Sequence, residues 1–305
     1  MFTRHAASAV CLLGLLLLTG CPGKETPKPS RKSPGMKLVI GLIPEQNIFH
    51  QFERYEPLMK YVGDKVEVQF ELKVLPRYGN IVDNFQSLGL DGAFLGSFTY
   101  VLAHARLGLH VLARPENDNG VSTYYGMIFV RKDSRIRTVR DMKGKRLACV
   151  DKATTAGYLL PMAYFHEHAV RKPRQYLAEI YFTGTHENAI ADVLDRKADI
   201  GAAKNTVFER MAAKAPRIRN ELQVLAVSPD VPENALALRG NLEETTRRKI
   251  LDALLGMDRD PAGREVLKKF GARRFVPTTD KDYDAVIRYA GEIHIDLATY
   301  DYIND

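Results

Sequence analysis

Along this chain the apolar positions switch repeatedly between two periods. KLVIGLI is a continuous apolar run and predicts a buried strand. PEQNIFHQFERYEPLMKYVG then spaces Phe49, Phe52, Tyr55, Met59 and Val62 three or four apart, which puts them on one helical face. VEVQFELKV alternates as a strand. GNIVDNFQSLG reads as a short helix with Ile81, Val82, Phe85 and Leu88 inward, DGAFL as a strand, SFTYVLAHARLG as a helix stopped by Gly108, and HVLARP as a strand. This βαβαβ order predicts a mostly parallel sheet with helices on both faces.

After the long apolar strand YYGMIFVRKD the pattern starts again. RLACV, EIYFTG, DIGAA and LQVLAVSP predict strands, and TTAGYLLPMAYFHEHA, THENAIADVLDRKA and NTVFERMAAKA predict the helices between them. KADIGAA in this half echoes GLDGAFLG in the first: helix, turn, aspartate, small-residue strand. The pattern predicts two similar α/β lobes, 36–128 plus 230–305 and 129–229, with chain crossings near Tyr124–Phe129 and Ser228–Asn234. EETTRRKILDALLGM, DPAGREVLKKFG and DKDYDAVIRYAGEIH read as closing helices packed back on the first lobe. Two lobes joined twice make a hinged clamp, and ligands in open α/β sheets bind at the carboxyl ends of the strands.

Residues just past those strand ends are therefore the candidates. They are Tyr78 after the second strand, Ser97 after DGAFL, Tyr124 at the first crossing, Thr154 and Thr155 after RLACVD, His186 after EIYFTG, and Asn205 after DIGAA. Ser97, Thr155 and His186 also mark helix starts, where unpaired N–H groups and a partial positive charge favour an anion. Each alone also fits a capping residue or an ordinary tyrosine or histidine. Their joint position at strand ends points to a cleft for a small oxyanion, with Gly157 letting the backbone come close.

Composition changes the picture only at the ends. Residues 1–20 carry one arginine and the short apolar core CLLGLLLL, a secretory leader. LLTGC resembles the lipobox of bacterial lipoproteins, which implies lipidation at Cys21. Residues 21–35, rich in Pro, Lys and Ser, read as a disordered tether. The net charge is +7, of which the leader and tether hold +1 and +3, so the body is only modestly basic and has no nucleic-acid signature. The basic tether instead suits anionic lipid. Cys149 stands alone in a strand, so the mature body has no disulfide. HEH at His166–His168 lacks metal spacing, because residues two apart on a helix face apart. No GxSxG or HExxH motif supports an enzyme.

PRYGNIVDNFQSLGLDGAFLGSFTY, VDKATTAGYLLP, GTHENAIADVLDRKADIGAAKNT and SPDVPENALALR together resemble the substrate-binding proteins of phosphate, phosphite and phosphonate ABC importers. The resemblance, from about Met36 to Asp280, implies an α/β, two-lobed type II periplasmic-binding-protein fold with the ligand cleft between the lobes. It implies an oxyanion held by tandem hydroxyls and their amides at Thr154 and Thr155, by His186, and by Tyr78 and Tyr124. The implied partners are the oxyanion, an ABC permease with its ATPase, and the membrane through the lipid on Cys21. No cofactor, metal or nucleic acid is implied, and the chain is read as a monomer. A ligand sensor for a signalling system is the alternative left open. Aminoalkylphosphonate binders of this kind hold the ligand's ammonium with carboxylates. Those positions fall here on Val207 and Asn234, which lowers the expectation of an amine-bearing ligand.

Overall fold

A computed structural model describes residues 35–45, 47–78 and 81–304. The leader, Cys21, the tether up to residue 34 and the inward placement of Val82 lie outside the described residues. No described helix is long and apolar enough to cross a membrane.

The first half runs β1 (Lys37–Leu42), α1 (Ile48–Val66), β2 (Gln69–Val74), α2 (Ile81–Ser87), β3 (Gly92–Leu95), α3 (Ser97–Leu107) and β4 (Leu109–Glu116). A short strand β5 (Thr123–Tyr124) leads into β6 (Gly126–Arg131) and β7 (Arg146–Cys149). A π-helical turn at Thr155–Leu159 opens α4 (Leu160–Glu167), and α5 (Pro173–Tyr176), β8 (Glu179–Phe182), α6 (His186–Leu194) and β9 (Ile200–Lys204) follow. Then come α7 (Asn205–Lys214), α8 (Arg217–Glu221), β10 (Leu222–Val227), β11 (Val231–Pro232) and β12 (Ala235–Arg239). The chain ends with α9 (Glu244–Leu255), α10 (Pro261–Phe270), β13 (Arg274–Pro277) and α11 (Asp284–Glu292).

Two sheets form two lobes, in the orders β13-β4-β12-β3-β1-β2 and β10-β6-β9-β7-β8. In each, three parallel strands meet an antiparallel fourth: β2, β1 and β3 meet β12, and β8, β7 and β9 meet β6. The echo of DGAFL in DIGAA is thus a repeat of topology, since β3 and β9 hold equivalent places. The sheets are more mixed than the βαβαβ order predicts, because each lobe takes in a strand adjoining a crossing. The crossings lie side by side as an antiparallel ribbon, with Tyr124 opposite Val231 and Thr123 opposite Pro232.

Both faces of the central strands are covered, which explains their unbroken apolar runs. Leu38, Ile40 and Leu42 of β1 pack with Tyr55, Leu58, Met59 and Val62 of α1. Phe49 departs from the predicted inward face. It is 74% exposed, on the first turn of α1 beside the cleft, where the Asn47 N–H reaches Glu187 of the other lobe. The closing helices α9 and α10 lie on α1 in the first lobe, while α11 contacts both α3 and α4. β13, for which the sequence pattern gives no expectation, adds an edge strand beside β4.

Candidate functional site

The carboxyl ends of the parallel strands converge on one buried cavity. It is lined by Glu45 after β1, Tyr78 after β2, Gly96 and Thr99 after β3, Tyr124 of the ribbon, Thr154–Ala156 after β7, His186 after β8, Lys204 closing β9, and Asn234 before β12. Its volume is about 10 Å3, room for about one water. The cavity is closed in this conformation.

Three helix amino ends meet here: α3, the π-helical turn leading into α4, and α6. The two threonines divide the work. The Thr154 hydroxyl turns back on its own loop and donates to the Asp151 carbonyl at 2.7 Å. The Thr155 hydroxyl accepts from the Phe98 N–H of the opposite lobe at 2.9 Å and lies within hydrogen-bonding reach of the Tyr124 hydroxyl. Thr99 strengthens the same seam by donating to the Ala153 carbonyl at 2.9 Å. Behind this loop the carboxyl-terminal segment acts as a brace. Asn304 accepts from the Lys152 N–H and donates to Asp151, and Lys152 Nζ donates to the Ile303 carbonyl.

Gly157 works differently from the sequence expectation. A Cβ there would stand 2.7 Å from the Thr154 hydroxyl and nearer still to Val150. The glycine lets the turn seat against the end of β7, with Val150 N–H donating to the Gly157 carbonyl at 3.1 Å. Close approach is needed, but to the strand.

His186 is buried, and its Nδ1 accepts from the Lys204 N–H at 3.2 Å. Burial, aided by Lys204 and Arg210 and opposed by Glu45, lowers its pKa to about 3. The imidazole is therefore neutral near pH 7, and with Nδ1 accepting, its proton sits on Nε2 as a donor. Its ring stands edge-on to Tyr78, with centroids 6.0 Å apart. The Tyr78 hydroxyl is buried without a hydrogen-bond partner among the described residues, and so is Asn234 Nδ2. Asn234 Oδ1 accepts from Lys204 Nζ at 3.1 Å, which turns the amide nitrogen away from that bond.

Ser97 and Asn205 have their side chains on the ribbon. Ser97 Oγ donates to the Pro232 carbonyl at 2.6 Å, and Asn205 Oδ1 accepts from the Tyr125 N–H at 3.1 Å. They occupy equivalent places in the two lobes, as first residues of the helices after β3 and β9, and each ties down a crossing segment. Val207 is buried in the core of its lobe, and the side chain that meets Asn234 is Lys204.

Lys204, Glu45 and Glu233 form an ionic centre that the sequence reading missed. Lys204 Nζ bonds Glu45 Oε1 at 2.8 Å, also bonds Glu233, and lies 4.3 Å from the Tyr124 ring centroid. Burial works against the charge on Lys204, but Glu233 and Glu45 outweigh it and raise its pKa. Burial likewise works against the Glu45 carboxylate, yet Lys204 and then Arg210 bring it down to about 2. Both groups are ionised, and the pair joins the lobes. The signal lay close by: Lys204 immediately precedes the candidate Asn205, and Glu45 follows the end of the first strand, KLVIGLI.

Two lobes, a double crossing and a closed polar cavity at strand ends define a hinged ligand-binding protein. The chain belongs to the family described as ABC transporter, phosphonate, periplasmic substrate-binding protein, whose sequence profile matches residues 40–283. It is 25% identical over 247 residues to the phosphonates-binding periplasmic protein of Escherichia coli, covering 80% of this chain and 72% of that one. It is 26% identical over 313 residues to the phosphate-import protein PhnD of Mycolicibacterium smegmatis, covering 93% and 94%. The crystal structure of PhnD1 from Prochlorococcus marinus in complex with methylphosphonate superposes with a TM-score of 0.74 at 21% identity, covering 84% of this chain and 98% of that one. The type II two-lobed fold implied by the sequence is the one observed.

Proposed function

We propose that the cavity captures a small tetrahedral oxyanion, namely phosphate, phosphite or a short alkylphosphonate, and that the closed protein delivers it to a membrane permease and its ATPase. The observation that carries this reading is the pair of buried donors without acceptors, Tyr78 Oη and Asn234 Nδ2, in a cavity where three helix amino ends meet. Leaving such donors unsatisfied costs about 1–3 kcal/mol each, and an anion's oxygens would satisfy them. The Thr155 hydroxyl, the amides of the turn and His186 Nε2 complete the donor set. The phosphate and phosphonate named for the relatives are consistent with it. Capture without turnover fits the candidate nucleophiles. Cys149 is fully buried, with burial pushing its thiol up, and the Thr154 hydroxyl is spent on a carbonyl.

Calorimetric titration of the tether-free body with phosphate, phosphite and methylphosphonate tests the reading. One-to-one binding of at least one anion is expected, and no binding to any of them overturns it. Export and lipidation at Cys21 are part of the same reading, supported by LLTGC behind an apolar leader. Intact-mass measurement on membrane-extracted protein should find the leader gone and acyl mass on Cys21. A retained leader or an unmodified cysteine rejects the anchor without touching the oxyanion site.

A further inference from the structure

Lys204 stands apart from the other cavity residues because all of its bonding capacity is already used. An ammonium has three N–H donors, and Lys204 aims them at Glu45 Oε1, Glu233 and Asn234 Oδ1. The face of Tyr124 covers the same cation at 4.3 Å. Two carboxylates, an amide oxygen and an aromatic face are what a ligand's own alkylammonium would require. This cage opens on the cavity that holds the oxyanion donors. Tyr124 spans the two parts, its ring against the Lys204 ammonium and its hydroxyl within bonding reach of Thr155. Cation and anion ends therefore lie about one tyrosine ring apart.

We propose that the Lys204 side chain is a tethered substitute for a ligand's ammonium, occupying a cation subsite of the cavity, so that the protein selects oxyanions without an amine and a shortened side chain would admit aminoalkyl oxyanions. This rests on the oxyanion reading above. The physical reason is twofold. A second ammonium entering the wild-type cavity would meet the Lys204 charge and lose its water with no free carboxylate to replace it. Truncation at Lys204 leaves Glu45 and Glu233 without their partner and opens the volume of a four-carbon chain beside them.

The test is calorimetric titration of wild type and Lys204→Ala with methylphosphonate and 2-aminoethylphosphonate, alongside phosphate and phosphite. Wild type should bind methylphosphonate at least tenfold more tightly than 2-aminoethylphosphonate. In Lys204→Ala the ratio should move by a hundredfold or more toward the amine, reversing the order. A wild type that takes the amine as well as methylphosphonate overturns the inference while leaving oxyanion capture standing. So does a folded variant whose ratio is unmoved, which would make Lys204 only a tie between lobes. A wild type that binds none of the four anions fails the oxyanion reading itself, and the inference falls with it. If Lys204→Ala does not fold, Lys204→Ser, which opens the same volume, carries the same comparison, and the wild-type ratio by itself still decides against the proposal when it favours the amine.

Discussion

Thr154 and Thr155 point their hydroxyls to different partners, and that difference sets what each should do when replaced. The Thr155 hydroxyl accepts from the opposite lobe and keeps its own proton for the cavity wall, so Thr155→Val removes that acceptor and a donor to the ligand while keeping the shape. Hydrogen bonds to a charged group are worth about 1.5–3 kcal/mol, so oxyanion affinity should fall roughly ten- to a hundredfold. Thr154 donates to the Asp151 carbonyl, so Thr154→Val should lower stability by about 1 kcal/mol, the worth of one such bond, and change affinity far less. Affinity and melting temperature measured on both variants check the division; equal affinity losses would contradict it. His186 gives a pH prediction at the same scale. Its pKa is about 3 folded against 6.5 for a free histidine. The unfolded chain therefore takes up a proton first as pH falls, and the stability this group contributes is full above pH 6.5 and drains away toward pH 3. Glu45, at about 2 against 4.5, adds a second loss below pH 4.5. The melting temperature should be flatter with pH between 4.5 and 6.5 in His186→Asn than in wild type; an unchanged slope would exclude a buried neutral imidazole. Part of the cavity lining was legible because strand ends can be counted in a sequence. Tyr78, Tyr124, Thr155 and His186 were found that way. Glu45 and Lys204 were not, because each charge is tolerable in the interior only through a partner far along the chain, and such pairing has no local periodicity.

At the scale of elements, the turn between β7 and α4 is held by packing. Gly157 lies against Val150, and Gly126 of β6 lets the same helix approach, since a Cβ there would come within 2.7 Å of Leu160 and 2.9 Å of the Ala156 backbone. Gly157→Ala should push the turn off the strand, destabilise by about 1–3 kcal/mol as overpacking does, and weaken oxyanion binding, because the amides move with the turn. Denaturant unfolding and titration of the variant check both parts, and intact affinity would mean the turn does not position the ligand. Elements with a strong period, such as β1 and the body of α1, were readable. Phe49 has the right period yet lies at an end of its helix that has no core to cover it. β13 is four residues long, and its identity comes from pairing with β4, so the local pattern had nothing to show.

Across the whole molecule, the closed state is held by bonds between lobes. These include Lys204 to Glu45, Phe98 to Thr155, Thr99 to Ala153 and Asn47 to Glu187. If the cavity is the oxyanion site proposed above, its volume of about 10 Å3 predicts that these bonds break to admit the ligand and re-form on closure. Small-angle scattering of the body should give a smaller radius of gyration with saturating anion than without, and an unchanged radius at saturation would rule out clamp motion. The interleaved topology also bears on how the chain acquires its structure. Every strand of the second sheet falls between Gly126 and Val227, one uninterrupted stretch. The first sheet has β12 between β3 and β4, and β12 lies beyond that stretch. The loop that must close before β12 can pair spans a whole lobe, and long loops close late. A chain emerging amino terminus first would thus carry its earliest strands unfinished until nearly all of it had appeared, while the middle segment could fold as a unit. Pulse-labelled hydrogen exchange during refolding should show amides of β6 to β10 protected before those of β1 and β3.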